Sequence, residues 1–279
     1  MTRIFLFAAV ASTLLAQRPK IVWSDQEKPI MEQMRKLRDL PDDERVSATK
    51  RLALQIRQLR AGTNKEVLAE SLANLVTEGD PGLETLQEVA TTLAQTLREQ
   101  PAAAGQDGPY VTLAALARYE HVKAESGDPR FAAVMAGLEA DDQARQSADF
   151  TLAGLTAKLW TLRELRGSVV LVNFWATWCP PCRKEMPDLE ALYQRFGQKG
   201  LVILAISDEE AGKVQPFIAE RHFSYPILLD PGRKVNELFR VEGIPKSFVY
   251  DREGKLVAQA IDMRTRQQFL EMLSHAGLE

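Results

Sequence analysis

The run SVVLVNF at residues 168–174 has almost no polar break. A half-buried strand alternates apolar and polar side chains, whereas a strand covered on both faces reads as a continuous β-branched run. The run therefore predicts a central strand with helices on both sides of its sheet. The residues that follow agree. A helix is predicted from Pro180 to Phe196, a strand over LVILAIS at 201–207, and a helix over Lys213–Arg221. Next come a strand at Pro226–Leu229, a short helix at Lys234–Phe239, strands at Ser247–Asp251 and Leu256–Ile261, and a last helix at Arg264–His275. Short strands at Phe150–Leu152 and Lys158–Leu162, turning at Gly154, come before the central one. The class read from residues 147–279 is α/β, a small sheet with helices on both faces.

Upstream the period changes. Ile30, Met34, Leu37 and Leu40 recur at helical spacing, as do Leu68, Leu72, Leu75 and Val76, then Leu83, Leu86, Val89, Leu93 and Leu97. Thr63 with Glu66 reads as a capping box, and Asp80-Pro81 and Asp128-Pro129 as helix starts. Further helices are predicted over Tyr110–Glu125 and Pro129–Gln146. Residues 17–146 are thus an all-α region without strand-like alternation or a repeat signature, expected to bind a partner protein or to dimerise.

The first residues, MTRIFLFAAVASTLLAQRPK, place one arginine before an apolar run from Ile4 to Ala16. A run of that size is shorter than the roughly 17–25 residues that cross a bilayer, and its flanks are those of a secretory signal cleaved after Ala16. Leu14 is bulky for the third position back, and an uncleaved leader would serve as an anchor. The expected location is periplasmic or otherwise extracytoplasmic. The net charge of -3 provides no basic field for nucleic acid.

Both cysteines lie in FWATWCPPCRKEMP at 174–187, where the buried strand ends and a helix begins. A disulfide closing so short a loop removes little unfolded-chain entropy and makes a poor staple. A structural zinc site needs four ligands. The chain has two Cys and three His, and His121, His222 and His275 show no ligand spacing. Reversible redox use is the reading that remains. Cys179, at the helix N-terminus, is the candidate exposed nucleophile, because the helix dipole and free N–H groups stabilise a thiolate. Cys182, one turn in, is the resolving thiol. Pro180 and Pro181 stiffen the turn between them and tune how readily the pair is reduced. Glu185 can share the face of Cys182; a partly buried carboxyl there would carry the protons that thiol exchange moves. Pro187 is expected to kink the helix.

Together with GIPKSFVYDREGKL at 243–256, this stretch resembles the thioredoxin-like exported thiol:disulfide oxidoreductases of the TlpA/ResA type. The likeness covers about residues 146–279. It implies a thioredoxin-like fold, a central mixed sheet flanked by helices, behind the all-α region. It implies a cis bond at Ile244–Pro245, with Ile244 offering its backbone to a substrate segment, and a Trp178 that shapes the exposed face beside the redox pair. Thioredoxins proper carry a buried aspartate where this chain has Asn173, whereas the TlpA/ResA type places a glutamate at the position of Glu185. The implied activity is reduction or exchange of disulfides in exported proteins, apocytochrome c among them. It needs no bound cofactor and draws electrons from a membrane thiol transporter. Two alternatives stay open. One is a thiol peroxidase of the redoxin type, whose Pro-x-x-x-Thr/Ser-x-x-Cys pattern is missing here. The other is a non-catalytic protein acting through its helices.

Overall fold

The computed structural model describes residues 21–279. The expected leader, residues 1–16, lies outside the described residues.

Six helices come first: α1 (Glu27–Lys36), α2 (Asp42–Gln58), α3 (Thr63–Val76), α4 (Gly82–Glu99), α5 (Gly108–Tyr119) and α6 (Pro129–Ser147). The apolar stripe of α4, with Val89, Ala90, Leu93 and Leu97, is buried against Leu52, Ala53 and Ile56 of α2 and Leu68 and Leu72 of α3. A lysine is buried in this bundle. Lys65 is 1% exposed, and its Nζ donates to the carbonyls of Arg57 (2.8 Å) and Leu59 (3.1 Å) at the end of α2 and to Glu99 Oε2 (2.6 Å).

Helix starts differ from the expectation at two places. Gly62, not Thr63, is the N-cap of α3, so Thr63 already lies inside the helix and makes no capping bond. α4 begins after Pro81, and Asp80 caps nothing. The third holds: the Asp128 side chain accepts from the Arg130 N–H at the start of α6. α5 stops at Tyr119 rather than Glu125. His121 takes a φ of 55°, a left-handed conformation that a helix does not continue through, so this histidine sits in a loop and not on a helix.

After α6 a two-stranded hairpin forms from β1 (Thr151–Ala153) and β2 (Leu159–Thr161). The main sheet uses β3 (Val169–Trp175), β4 (Leu201–Ser207), β5 (Ile227–Leu229), β6 (Lys246–Tyr250) and β7 (Leu256–Gln259), in the order β5-β4-β3-β6-β7. β3, β4 and β5 run parallel, and β6 and β7 are antiparallel to their neighbours. This mixed sheet with helices on both faces is a thioredoxin-like fold. α7 (Pro180–Phe196), α8 (Ala211–Arg221), α9 (Lys234–Leu238) and α10 (Arg266–Ser274) complete it.

Every residue of β3 is buried, and the period of two explains the unbroken run. Val169, Leu171 and Trp175 pack with Met186, Leu189 and Phe196 of α7 and Phe269 of α10. Val170, Val172 and Phe174 pack on the other face with Val235, Phe239 and Phe248. Asn173 falls on the α7 face, the one polar residue in the strand.

The helical region docks on this domain through polar contacts as well. Arg145 of α6 donates through Nε to the Phe239 carbonyl (2.9 Å), and Tyr250 Oη donates to the Arg145 carbonyl (2.9 Å). Gln259 Nε2 donates to Asp142 Oδ1 at 2.6 Å.

Candidate active site

β3 delivers its C-terminal end to a tight turn, Ala176-Thr177-Trp178, that leads into α7. Cys179 is the N-cap of α7, with extended backbone, and its Sγ accepts the Cys182 N–H at 3.2 Å. Pro180 fills the first helical position, where no N–H is needed. The two cysteines are joined in a disulfide. The helix N-terminus thus aims a backbone N–H at Cys179 Sγ, a placement that favours a thiolate there.

The exposure expected of Cys179 is not seen: it is 2% exposed and Cys182 is 0% exposed. What reaches solvent around the pair is Trp178, at 66% exposure, with Pro180 and Pro181. The Ile244–Pro245 bond is cis, and the Ile244 carbonyl oxygen lies 3.8 Å from Cys179 Sγ. Pro245 is buried and Ile244 half-buried, so residues 65 positions apart in sequence meet at Cys179 Sγ.

Glu185 lies one turn beyond Cys182 on α7 and is 1% exposed. Its Oε1 accepts from Asn173 Nδ2 at 2.8 Å, and its Oε2 accepts the backbone N–H of Arg264 at 3.2 Å. Asn173 Nδ2 also reaches Ser247 Oγ at 3.0 Å. Burial pushes the Glu185 carboxyl up to about 8, against the pull of those two donors and the Arg264 charge; the charge of Asp262 pushes the same way as burial. A carboxyl in that range can take and give a proton near neutral pH. The Lys246 ammonium, next after Pro245, is pushed down to about 8, chiefly by burial.

Several residues of the site escaped the sequence reading: Ser247, Arg264, Lys246 and Glu209. Glu209 follows the end of β4, beside β3 in the sheet, and accepts twice from Thr177. The Thr177 N–H reaches Oε2 at 2.6 Å and Thr177 Oγ1 reaches Oε1 at 2.9 Å. A carboxylate therefore clamps the turn that carries Trp178 and Cys179. The available signal was position, because sites in parallel sheets gather at the carboxyl ends of adjacent strands. Among the described residues no group of three or more His, Cys, Asp or Glu is placed to hold a metal ion. His121 and His275, scattered in sequence, come together with ring centroids 6.1 Å apart.

Known proteins share this arrangement of sequence. The profile of the AhpC/TSA family matches residues 144–259. The chain is 36% identical over 125 residues to a thiol-disulfide oxidoreductase ResA of Bacillus anthracis, covering 44% of this chain and 72% of that protein. It is 34% identical over 126 residues to the ResA of Bacillus subtilis, covering 45% of this chain and 70% of that protein. Among solved structures, a putative thiol:disulfide interchange protein DsbE from Chlorobium tepidum is 30% identical, with a TM-score of 0.44 over 47% of this chain and 94% of that one. With this identity spread over more than two thirds of its relatives' length, on top of a thioredoxin-like sheet with a disulfide at the start of α7, the chain belongs to the ResA-type thiol-disulfide oxidoreductases.

Proposed function

We propose that this oxidoreductase reduces disulfides of exported proteins, with Cys179 attacking, Cys182 resolving and Glu185 carrying the proton. The observation behind this reading is the Cys182 N–H held on Cys179 Sγ at 3.2 Å, with a buried carboxyl one turn deeper. In the reduced chain the Cys179 thiolate attacks one sulfur of the substrate disulfide. A Cys179–substrate bond forms, the substrate bond breaks, and the first substrate sulfur leaves and takes up a proton. Glu185 accepts the proton of Cys182. The Cys182 thiolate then attacks Cys179 Sγ, closing the Cys179–Cys182 disulfide. The second substrate sulfur leaves and takes up the proton that Glu185 received from Cys182, so the substrate ends as a dithiol and Glu185 returns to its starting state. Two electrons pass from the cysteine pair to the substrate.

The reductive direction follows the resemblance to the TlpA/ResA type; the cysteine pair at the start of α7 can exchange electrons either way. The Asn173 amide suits both states of Glu185, donating to the carboxylate and, after rotating, accepting from the acid. Ile244 and Pro245 offer backbone to an extended substrate segment, and the exposed Trp178, Pro180 and Pro181 form its docking rim. Within this proposal residues 1–16 are the export leader, 17–146 a helical partner-binding or dimerising module, and 147–279 the redox domain. Apocytochrome c is one of the exported proteins proposed as substrate, and a membrane thiol protein is the proposed electron source.

The test is trapping in the exported compartment. Cys182→Ser should accumulate a protein joined to Cys179 through a disulfide, released by dithiothreitol and missing from the double Cys179→Ser, Cys182→Ser chain. A Cys182→Ser chain that holds no such adduct would sink the reading.

A further inference from the structure

We propose that Ser247 is a positioning residue for this reaction, acting through Asn173. Its hydroxyl accepts from the Asn173 amide when Glu185 is ionised and donates to that amide when Glu185 holds its proton. The inference rests on the proton-carrying role of Glu185 given above.

Glu185 is held from three elements. From β3, Asn173 Nδ2 donates to Oε1 at 2.8 Å. From the segment after β7, the Arg264 N–H donates to Oε2 at 3.2 Å. From β6, Ser247 reaches the carboxyl through Asn173, since Nδ2 also donates to Ser247 Oγ at 3.0 Å. Asn173 and Ser247 are register partners across the β3–β6 ladder, and both are buried. The Ser247 carbonyl accepts the Ala260 N–H at 2.8 Å, which fixes its backbone from the other side. Ser247 lies two residues beyond Pro245, so its hydroxyl stands between the cis-proline strand and the acid of the redox site.

The two states of Glu185 place opposite demands on the amide. A backbone N–H can only donate, so Oε2 stays an acceptor and the proton of the acid belongs on Oε1. Nδ2 turned toward Oε1 suits the carboxylate but offers the acid no acceptor. In that orientation Asn173 Oδ1 is buried with no hydrogen-bond partner. Turning the amide over puts Oδ1 where Nδ2 stood, between Glu185 Oε1 and Ser247 Oγ, and it then takes a hydrogen bond from each. Ser247 must change from acceptor to donor, and a hydroxyl can be either. The charged and titratable groups around Glu185 are Arg264 and Asp262 after β7, Tyr225 before β5 and Cys182 on α7. Among the described residues, Asn173 is the side chain that hydrogen-bonds to the carboxyl. Removing the Ser247 hydroxyl costs the two states unequally. The acid keeps its bond to Oδ1, whereas the carboxylate state is left with a buried N–H that has no acceptor. The acid is therefore favoured, and Glu185 ionises at higher pH.

The test uses the full-length oxidised chain and reads no redox activity. Isotope-labelled glutamate carboxyls are titrated by NMR, the Glu185 resonance being the one lost in Glu185→Gln. Ser247→Thr keeps the hydroxyl, and Ser247→Val puts a methyl in its place at nearly the volume of threonine. The midpoint is expected to rise by about one pH unit in Ser247→Val and to stay at the parent value in Ser247→Thr. In the parent, the nuclear Overhauser contact between the Asn173 side-chain amide and the Ser247 β-protons should be strong above the midpoint and weaken below it. An unmoved or lowered midpoint in Ser247→Val overturns the proposal, as does an equal shift in the Thr and Val chains, or a parent contact that stays constant through the titration. Should either chain not fold, Ser247→Ala against the parent decides, with the same rise expected. Trapping through Cys182→Ser reports separately: an adduct with an unmoved midpoint ends the role of Ser247 and spares the reductase, and a raised midpoint without an adduct does the reverse.

Discussion

Replacing Glu185 by glutamine keeps the shape of the side chain and removes its proton chemistry. Two donors face the carboxyl, Asn173 Nδ2 at 2.8 Å and the Arg264 N–H at 3.2 Å. Glutamine has one acceptor oxygen, so one donor meets an NH₂ instead, at a cost of up to about 1–3 kcal/mol that rotation of the Asn173 amide lowers. The opposing effect depends on pH. Below the ordinary value of 4.5, folded and unfolded chains both hold the proton; between 4.5 and about 8 only the folded chain does; above that the folded chain also ionises. Stability is therefore present at low pH and lost as pH rises through the folded value. At 1.36 kcal/mol per pH unit the full span is worth about 5 kcal/mol, an upper figure for this buried group. Glu185→Gln lacks this loss. It should be less stable than the parent near pH 5 and as stable or more stable near pH 9. Urea unfolding of the disulfide form, followed through the tryptophans, measures the difference. The same substitution should slow disulfide exchange about 10²-fold near neutral pH. A stability difference that stays constant from acid to alkaline pH would falsify the buried, hard-to-ionise carboxyl and the role built on it.

Glu209→Gln removes the charge and one of the two acceptor oxygens facing Thr177, so the Thr177 hydroxyl can meet the new NH₂ only as an acceptor. It should cost about 1–3 kcal/mol in thermal unfolding and slow alkylation of reduced Cys179; unchanged values for both would remove Glu209 from the site. Trp178→Ala, at a position 66% exposed, should change stability by no more than about 0.5 kcal/mol. It should raise KM for a protein disulfide and spare a small disulfide such as oxidised glutathione; equal losses on both argue against a docking rim. Lys65→Met strands two carbonyls at the end of α2 and the Glu99 carboxylate. A loss of about 1–3 kcal/mol is expected, read by urea unfolding of the helical region, and a neutral result would show that the buried cation is dispensable.

Much of the redox domain was legible because its signals are local. An unbroken β-branched run can hardly be other than a strand covered on both faces, and β3 is buried at every residue. A proline after Cys179 marks a helix start, and α7 runs from Pro180 to Phe196 as read, continuing through Pro187. Spacing of three along that helix was enough to set Glu185 beside Cys182. The bond at Ile244–Pro245 was legible only through family likeness, since nothing in the chain near Pro245 dictates its geometry. The helical region was legible as helices but not at its edges. Thr63 and Asp80 look like caps, yet the packing of α3 and α4 sets their starts elsewhere.

Tertiary structure decided the environment of each functional group. Period and spacing say which face a side chain takes, not which face of another element meets it. That Asn173 and Arg264 would both donate to Glu185, that Glu209 would grip Thr177, and that Thr77 would meet Asp262 across 185 residues of chain depends on how the layers pack. The proton affinity of Glu185 belongs to the same class. Its position came from local spacing, but its value near 8 comes from the removal of water by α7, β3 and α10 together, because desolvation is a property of the assembled core and not of any stretch of sequence.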